Sequence, residues 1–253
     1  MSFKASIVAD KCEEFAREAV AARQMEVANI LIHAAAQIDL TDSQLQQCWG
    51  GPMNGQIARQ ETFREILASF APAVIVETGT FRAITTIWLA HIFAGPIYTC
   101  EASPRLFVQS AIKLRSYPTV VIRQSDSRAF LRHICNEAVP GTPAVFYLDA
   151  HWGADLPLAE EIDIILARPG SSVIVIDDFA VDHDPGYGFD DYGPGKRLDL
   201  SYIAPFKTRL SAIMLPATPS AKETGARRGM GVLASDARAA NALQRVPGLI
   251  PAN

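Results

Sequence analysis

The sequence is poor in the features that mark several protein classes. It has only four cysteines, scattered without a C-x-x-C pair, which argues against a zinc knuckle, a thioredoxin-like motif and a disulfide framework. Lys and Arg total 23 against 27 acidic residues, so the composition shows no basic excess of the kind that nucleic-acid-binding proteins have. The longest apolar tract, residues 83–98, contains His91 and Pro96 and is too short to span a bilayer. Because charges also interrupt the N-terminus where a signal peptide needs an apolar run, we expect a cytoplasmic protein with a small-molecule partner.

What the chain does have is apolar content for one large core. With 253 residues and 49% hydrophobic residues, a single α/β domain is expected. The first third has helical periodicity: residues 13–36 lack Pro and Gly, residues 41–43 (Thr-Asp-Ser) offer N-cap chemistry for another helix, and residues 56–70 resume the pattern. We therefore predict a helical N-terminal extension or cap over residues 1–55, available for homo-oligomer formation, and an α/β domain over residues 56–253.

From residue 72 onward, short Val/Ile-rich runs alternate with segments long enough to be helices. The runs are "AVIVET", "IYTCEA", "TVVIRQ", "AVFYLDA" and "SVIVIDDF", a pattern typical of βαβ units and a parallel sheet. Ligands of such sheets bind at the carboxyl ends of the strands. These strands end in or just before acids, namely Glu77, Glu101, Asp126, Asp149 and the pair Asp177 and Asp178. Packing does not require so many acids at one edge, so the pattern favours a site.

The first strand-to-helix turn, "ETGTFRAITT", is the most informative segment. Gly79 allows close backbone approach to a ligand, and the following helix offers free N–H groups. No G-K-[ST] follows, so the turn is not a P-loop. Positions 80–83 also lack the later glycines of G-x-G-x-x-G, which counts against dinucleotide binding.

The spacing of Glu77 and Gly79 resembles motif I of the class I S-adenosylmethionine-dependent methyltransferases, in particular bacterial small-molecule enzymes, and the resemblance covers about residues 73–235. It implies a Rossmann-like, doubly wound, mostly parallel sheet whose last strand, "ARRGMGVLAS", is antiparallel. It also implies three groups of cofactor-binding residues. These are Glu77, Thr78, Gly79, Thr80, Phe81 and Thr85 around the methionine half, Glu101, Ala102 and Ser103 at the ribose, and Asp126 and Ser127 at the adenine. A simple helix cap at Asp126 or Ser127 remains the alternative.

The segment "WGGPMNGQIARQ", upstream of the first strand, resembles a bacterial group of the same methyltransferases. Asn54 and Gln56 would then fold over the cofactor as a lid. A Gly-Pro-Asn-Gly turn without that role is the alternative.

The fourth strand of the family ends beside the reactive methyl group, so Asp149 and His151 would face the transfer site together with Asp178. His151 suits the role of a base that removes the proton from an acceptor hydroxyl, although a hydrogen-bonded structural histidine is the plainer alternative. The same segments resemble metal-dependent sugar O-methyltransferases, which implies Asp149, Asp177 and Asp178 as Mg²⁺ ligands. Those enzymes have a further acid where this chain has "DAHW", so either His151 replaces it or the site holds no metal.

Residues 179–200 have the Gly, Pro, Tyr and Asp content of a long irregular loop. We expect this loop to cover the substrate, with Tyr187, Phe189 and Tyr192 as its aromatic surface; a mobile surface excursion is the alternative. The sequence thus predicts methyl transfer to a hydroxyl of a small molecule, such as a sugar or natural product. An NAD-linked oxidoreductase and a non-catalytic cofactor-binding protein stay open as other functions.

Overall fold

The computed structural model describes residues 2–43, 45, 50–151 and 155–252. Two long helices, α1 (Ser2–Ala21) and α2 (Met25–Leu40), precede the α/β part. The other helices are α3 (Ile57–Phe70), α4 (Ile84–Ile92), α5 (Pro104–Leu114), α6 (Ser127–His133), α7 (Leu158–Ala167), α8 (Leu200–Ile203) and α9 (Ala237–Leu243). Among the described helices, none is both long enough and apolar enough to cross a bilayer.

The described strands form one eight-stranded sheet in the order β3-β2-β1-β4-β5-β7-β6-β8. They are β1 (Val74–Thr78), β2 (Ile97–Glu101), β3 (Val120–Gln124), β4 (Ala144–Leu148), β5 (Ser172–Asp177), β6 (Ala212–Pro216), β7 (Met230–Ala234) and β8 (Leu249–Pro251). The first five strands are parallel, and β7 runs antiparallel to β5. The predicted fold class, including the antiparallel strand in "ARRGMGVLAS", is confirmed. The strands β6 and β8, which extend the sheet beyond β7, were not predicted.

Both faces of the sheet are covered, which explains why the central strands are apolar throughout rather than alternating. Every residue of β1, β4 and β5 is buried. On one face, Phe130 of α6 and Ile162 of α7 pack on the sheet; on the other, Phe63 of α3 and Leu89 of α4 do so. Strand order reverses between β1 and β4, so the carboxyl ends of these two strands open the crevice where a doubly wound sheet binds ligands.

The N-terminal region differs from the prediction of one helix over residues 13–36. The chain turns at residues 22–24, where Arg23 is left-handed with φ 61°. The amide of Gln24 donates to Ala19 O at 2.8 Å and that of Arg23 to Val20 O at 2.9 Å, which is the hydrogen-bond pattern of a Schellman stop. Glycine usually marks such a stop, and because an arginine occupies the position, the sequence did not signal it.

Residues 41–43 were predicted to start a helix; they directly follow α2, and the residues that such a helix would need next, 44 and 46–49, lie outside the described residues. Thr41 follows the last residue of α2, and its hydroxyl donates back to Ile38 O at 2.7 Å. In contrast, the prediction of a helix over residues 56–70 is confirmed by α3, with Gln56 as its N-cap residue.

The helix pair α1–α2 is joined to the α/β part through Arg105 in the first turn of α5. Its guanidinium donates to both carboxylate oxygens of Asp39, at 2.8 and 2.6 Å, and also contacts Asp10 and Glu13 at 2.8 and 2.9 Å. Asp39 is buried. The N-terminal helices therefore dock directly beside the segment that follows the end of β2.

Candidate functional site

The turn after β1 is fixed against the end of β4. Gly79 has φ +83°, and a Cβ atom added there would lie 2.3 Å from the carbonyl oxygen of Asp149. The amides of Gly79 and Thr80 both donate to Cys100 O, at 3.1 and 2.9 Å. Only glycine combines this backbone angle with this close approach, so the turn predicted from Gly79 has the expected geometry.

Two residues after Gly79, the chain again takes a conformation that favours glycine. Phe81 has φ 48° and Ala83 has φ 59°, a region that costs an ordinary residue about 1–2 kcal/mol. The amide of Phe81 donates to the Glu101 carboxylate at 2.8 Å, which helps to hold this turn. Residues 80–83 therefore form a tight turn with left-handed backbone at Phe81 and Ala83, although they include no glycine.

Glu77 lies inside the sheet rather than on the crevice surface. Its carboxylate accepts hydrogen bonds from Thr86 at 2.5 Å and Thr99 at 2.7 Å, and Thr80 contacts Thr99 at 2.6 Å. Burial raises the pKa of Glu77 to about 7, against the lowering effect of the two threonine hydroxyls. In this structure Glu77 links β1, β2 and α4, so its contribution to a cofactor site would be to support the turn.

Glu101, at the end of β2, lies next to that turn. One of its carboxylate oxygens accepts the Phe81 amide, and the other accepts the Ser103 amide at 2.8 Å. Burial raises its pKa, while the backbone amides act in the opposite direction. Ser103 is the N-cap residue of α5 and Ala102 is exposed. Backbone amides thus hold the carboxylate rigidly beside the turn.

Asp126 and Ser127 follow β3, and Asp126 is the N-cap residue of α6. Its carboxylate accepts the amides of Arg128 and Ala129 at 3.0 and 3.3 Å and pairs with the Arg128 guanidinium at 2.8 Å. This hydrogen bond from the Arg128 side chain is the main reason that the pKa of Asp126 is lowered. Ser127 is buried. Asp126 is therefore a helix cap, as the alternative interpretation expected. The segment also lies beside the end of β2, because the Ser125 amide donates to the Glu101 carbonyl at 3.1 Å.

The segment Pro52–Gly55 lies over the first turn of α4. The amide of Met53 donates to the Thr85 hydroxyl at 3.1 Å. The Gln56 side chain is paired with the backbone of Arg228, with distances of 2.9 and 2.7 Å, and Asn54 O accepts the Ala226 amide at 2.9 Å. The segment thus lies over the β1–α4 region, where the Thr85 hydroxyl of α4 and the Gln56 side chain hold it in place; its role as a lid stays a prediction.

Asp149, His151 and Asp178 come together where β4 and β5 end. Their candidate ligand atoms all lie within 4.8 Å of one another. His151 is 2% exposed, and neither of its ring nitrogens has a hydrogen-bond partner within the described residues. Such buried, unpartnered nitrogens are uncommon in a purely structural histidine. Trp152, which follows directly, lies outside the described residues.

The charges of this cluster strongly affect each other. Burial, followed by the nearby Asp177 and Asp178 carboxylates, raises the pKa of Asp149 well above its usual value. Burial, followed by the Asp177 carboxylate, raises the pKa of Asp178 to about 7, opposed by Arg228. Burial lowers the pKa of His151, so its imidazole is neutral at neutral pH and keeps a free lone pair.

Asp177, predicted as a metal ligand, does not belong to this cluster. Its carboxylate is paired with the buried guanidinium of Arg59 and accepts the Tyr147 hydroxyl. Although burial opposes it, this arginine keeps the pKa of Asp177 below its usual value. Arg59 comes from α3, 118 positions earlier. Sequence reasoning missed Arg59, because nothing in a helical "IARQETF" pattern marks one buried arginine.

The loop after β5 reaches back over the cluster. Arg228 donates to Asp178 at 2.6 Å and is also paired with Asp190 of the loop. The Tyr192 hydroxyl contacts both the Asp190 carboxylate and the backbone carbonyl of His151. The backbone of Asp190 bonds Asp178 O at 2.9 Å. The loop is irregular, as predicted, but many hydrogen bonds hold it in place.

The aromatic residues of this loop have different environments. Tyr187 is buried and donates to Thr218 O at 2.8 Å, so the prediction that it offers a surface to substrate is wrong. Phe189 stacks under the guanidinium of Arg197 at 4.4 Å from its ring centroid. A cavity of about 530 Å³ lies beside the loop and is lined in part by Asp191, Gly193, Arg197, Asp199 and Tyr202.

The two glutamates at the start of α7 have opposite environments. Glu160 is exposed, but Glu161 is completely buried. Burial raises the pKa of Glu161 to about 7, opposed by the hydroxyls of Ser127 and Thr78. The helical sequence pattern does not predict this difference in burial, because the burial depends on which side of α7 packs against the edge of the sheet.

Comparison with known proteins gives a structural relationship only. No family model matches the chain, and no curated protein matches it in sequence. A Klebsiella pneumoniae protein classed as a candidate O-methyltransferase aligns with a TM-score of 0.51 and 18% identity, over 75% of this chain and 85% of that one. The cofactor-bound protein Rv0187 from MTB aligns with a TM-score of 0.50 and 16% identity, over 82% and 88%.

At this level of identity, the alignments establish the architecture. Strand order, the antiparallel β7 and the glycine turn after β1 agree with it. The chain therefore has a Rossmann-like α/β fold, as do these two solved structures.

Proposed function

We propose that the protein transfers a methyl group from S-adenosylmethionine to a hydroxyl of a small molecule. The observation that carries this proposal is the contact between the two halves of the sheet edge, where the Gly79 backbone lies against Asp149 O. A ligand held by the turn after β1 would therefore end beside Asp149 and His151. The fold shared with the two solved structures supports the same assignment.

The cofactor fits the residues on the β1–β2 side of the crevice. The left-handed backbone at Gly79, Phe81 and Ala83 forms a tight loop, and Glu101 beside it has lone pairs that suit the two hydroxyls of a ribose. When bound, S-adenosylmethionine supplies a methyl carbon activated by a sulfonium. Gly79, Phe81 and Glu101 would hold and orient it.

His151 is the proposed base. Its neutral imidazole can take the proton of an acceptor hydroxyl while the new oxygen–carbon bond forms and the sulfur–carbon bond breaks. The resulting imidazolium would lie beside Asp149 and Asp178, whose carboxylates can stabilise its charge and accept its other N–H. These roles need no residue from outside the cluster.

A divalent cation bound by Asp149, His151 and Asp178 is a second candidate for this cluster, favoured by its charge. The nearby carboxyl groups outnumber the guanidinium groups by two, since four aspartates (149, 177, 178 and 190) face Arg59 and Arg228. One imidazole and two carboxylates suit Mn²⁺ at least as well as Mg²⁺, which prefers oxygen ligands. A cation there would orient and acidify the acceptor hydroxyl, and His151 would then be a ligand rather than the base.

A small, neutral acceptor fits the surroundings of the site. The chain has a net charge of -4, so polyanionic nucleic acid has no general attraction to it. A sugar or another hydroxylated natural product is the acceptor class that we propose.

The first experiment is calorimetric titration of the purified protein with S-adenosylhomocysteine, and separately with NADH. Binding of S-adenosylhomocysteine in the micromolar range, weakened at least tenfold in Glu101→Ala but not in Asp126→Asn, is the expected result. Binding of NADH alone would contradict the proposal. Repeating the titration with Mg²⁺ and with Mn²⁺ tests the cation, because Asp149→Asn should remove any strengthening by metal.

Transfer is then measured as formation of S-adenosylhomocysteine in the presence of hydroxylated acceptors. If His151 is the base, His151→Ala should lower the rate by about 10² or more without changing cofactor affinity. An unchanged rate in that variant would exclude this role for His151.

A further inference from the structure

Among the described residues, His151 has few restraints of its own. His151 follows β4 by three residues and belongs to no helix or strand, and its ring nitrogens have no hydrogen-bond partner among the described residues. A base in methyl transfer needs a fixed ring, since small displacements of a reacting group are costly to the rate. The restraint on His151 must therefore come from its backbone and from what covers it.

A chain of polar contacts supplies that restraint from the loop after β5. Asp178 accepts from Arg228 at 2.6 Å, Arg228 is paired with Asp190, and Asp190 contacts the Tyr192 hydroxyl. That hydroxyl also contacts the carbonyl oxygen of His151. The chain of contacts therefore begins at Asp178, after β5, and ends at the backbone carbonyl of His151, the candidate base.

Tyr192 is suited to this role as a donor. A phenol is protonated at neutral pH, so the Tyr192 hydroxyl has a proton to donate. The Tyr192 hydroxyl has one proton and two acceptors, the Asp190 carboxylate and the His151 carbonyl, so it donates to one of them at a time. The ion pair with Arg228 holds Asp190 in place in either case. The hydroxyl thus remains between Asp190 and the His151 backbone.

We propose that Tyr192 is a positioning residue for His151, acting through the His151 carbonyl and held by Asp190 and Arg228. The irregular loop is then part of the reaction site rather than only a cover for the substrate. This role rests on the proposed function, because the position of His151 matters to catalysis only if His151 takes part in methyl transfer.

The same loop offers a matched control. The Tyr187 hydroxyl also donates to a backbone carbonyl, that of Thr218 at 2.8 Å, but it makes no contact with His151. Tyr192→Phe and Tyr187→Phe therefore remove the same atom from the same loop, and only the first variant removes the hydrogen bond to the His151 segment.

The test is the rate at which diethyl pyrocarbonate acylates each histidine, measured by peptide mass spectrometry with exposed His33 as the internal reference. In the unchanged protein, His151 should react slowly because it is 2% exposed. Loss of one buried hydrogen bond should raise its relative rate roughly five- to tenfold in Tyr192→Phe, with no change in Tyr187→Phe. No increase in Tyr192→Phe, or equal increases in both variants, would overturn the proposal.

This measurement needs neither cofactor nor acceptor, so it separates the two proposals. If the protein fails to bind S-adenosylhomocysteine, the proposed function fails, whereas the acylation rates still decide whether Tyr192 holds His151. Where an acceptor is known, Tyr192→Phe should lower kcat roughly five- to tenfold and leave both KM and cofactor affinity unchanged. A change in KM with kcat unchanged would mean that Tyr192 contacts the acceptor instead.

Discussion

Gly79 and Asp149 are in such close backbone contact that a single methyl group on Gly79 would lie 2.3 Å from the Asp149 carbonyl oxygen. This contact joins the turn after β1 to the end of β4. The candidate cofactor loop and the cluster around His151 therefore cannot move independently at this point.

Gly79→Ala should consequently destabilise the protein by about 2–4 kcal/mol, since it adds backbone strain and an overpacked contact. Urea unfolding measures this change. Gly193→Ala is the control: Gly193 also has a positive φ, of 104°, but nothing lies within 4 Å of an added Cβ, so only the strain of roughly 1–2 kcal/mol is expected. Equal losses in the two variants would mean that the contact with Asp149 has no energetic weight.

The ion pair between Arg59 and Asp177 is completely buried. Asp177→Asn should destabilise the protein by about 3–5 kcal/mol, because it leaves an uncompensated guanidinium in the interior. The exposed pair Arg209–Asp163 provides the comparison, and Asp163→Asn should cost less than about 1 kcal/mol. If thermal unfolding showed similar small losses for both, Arg59 would have to be reached by solvent or by another acid.

Glu161 should make stability depend on pH. Its pKa rises from 4.5 to about 7 on folding, so between these values the folded protein binds a proton that the unfolded chain has released. The free energy of unfolding then falls as pH rises through this window, by on the order of 3 kcal/mol, and levels off above it.

Glu161→Gln should remove this part of the pH dependence and be more stable than the unchanged protein above pH 7. Some dependence should persist from Glu77, whose pKa is also raised to about 7. Urea unfolding between pH 5 and pH 8 measures the effect. The exposed neighbour provides the control, and a Glu160→Gln profile that changed as much as that of Glu161→Gln would contradict the assignment.

The docking of α1–α2 should depend on Asp39 more than on the other acids that contact Arg105. Asp39→Asn removes a buried carboxylate bonded twice by Arg105, with an expected loss of about 1–3 kcal/mol. Hydrogen exchange should then increase along α1 and α2. Asp10 contacts the same guanidinium but is 65% exposed, so Asp10→Asn should change exchange little; a larger effect of Asp10→Asn would contradict this ranking.

The parallel sheet and the edge that carries the site could be predicted from the sequence. Runs such as "AVIVET" and "SVIVIDDF" between helical segments allow few other arrangements, because buried parallel strands are apolar on both faces. The acids that follow them reach one edge for the same reason. Local pattern also sufficed for α3 and for the irregular loop over residues 179–200.

Only the tertiary structure decided which of these acids act together. Asp177 and Asp178 are neighbours in sequence, yet Asp177 is the last residue of β5 and Asp178 follows it with a left-handed backbone, φ 53°. Asp177 meets Arg59, whereas Asp178 meets Arg228. Arg59 comes from a helix 118 positions earlier and Arg228 from a turn 50 positions later. A local pattern fixes where a carboxylate lies along its strand, but its charge partner and its burial depend on contacts between segments far apart in the chain.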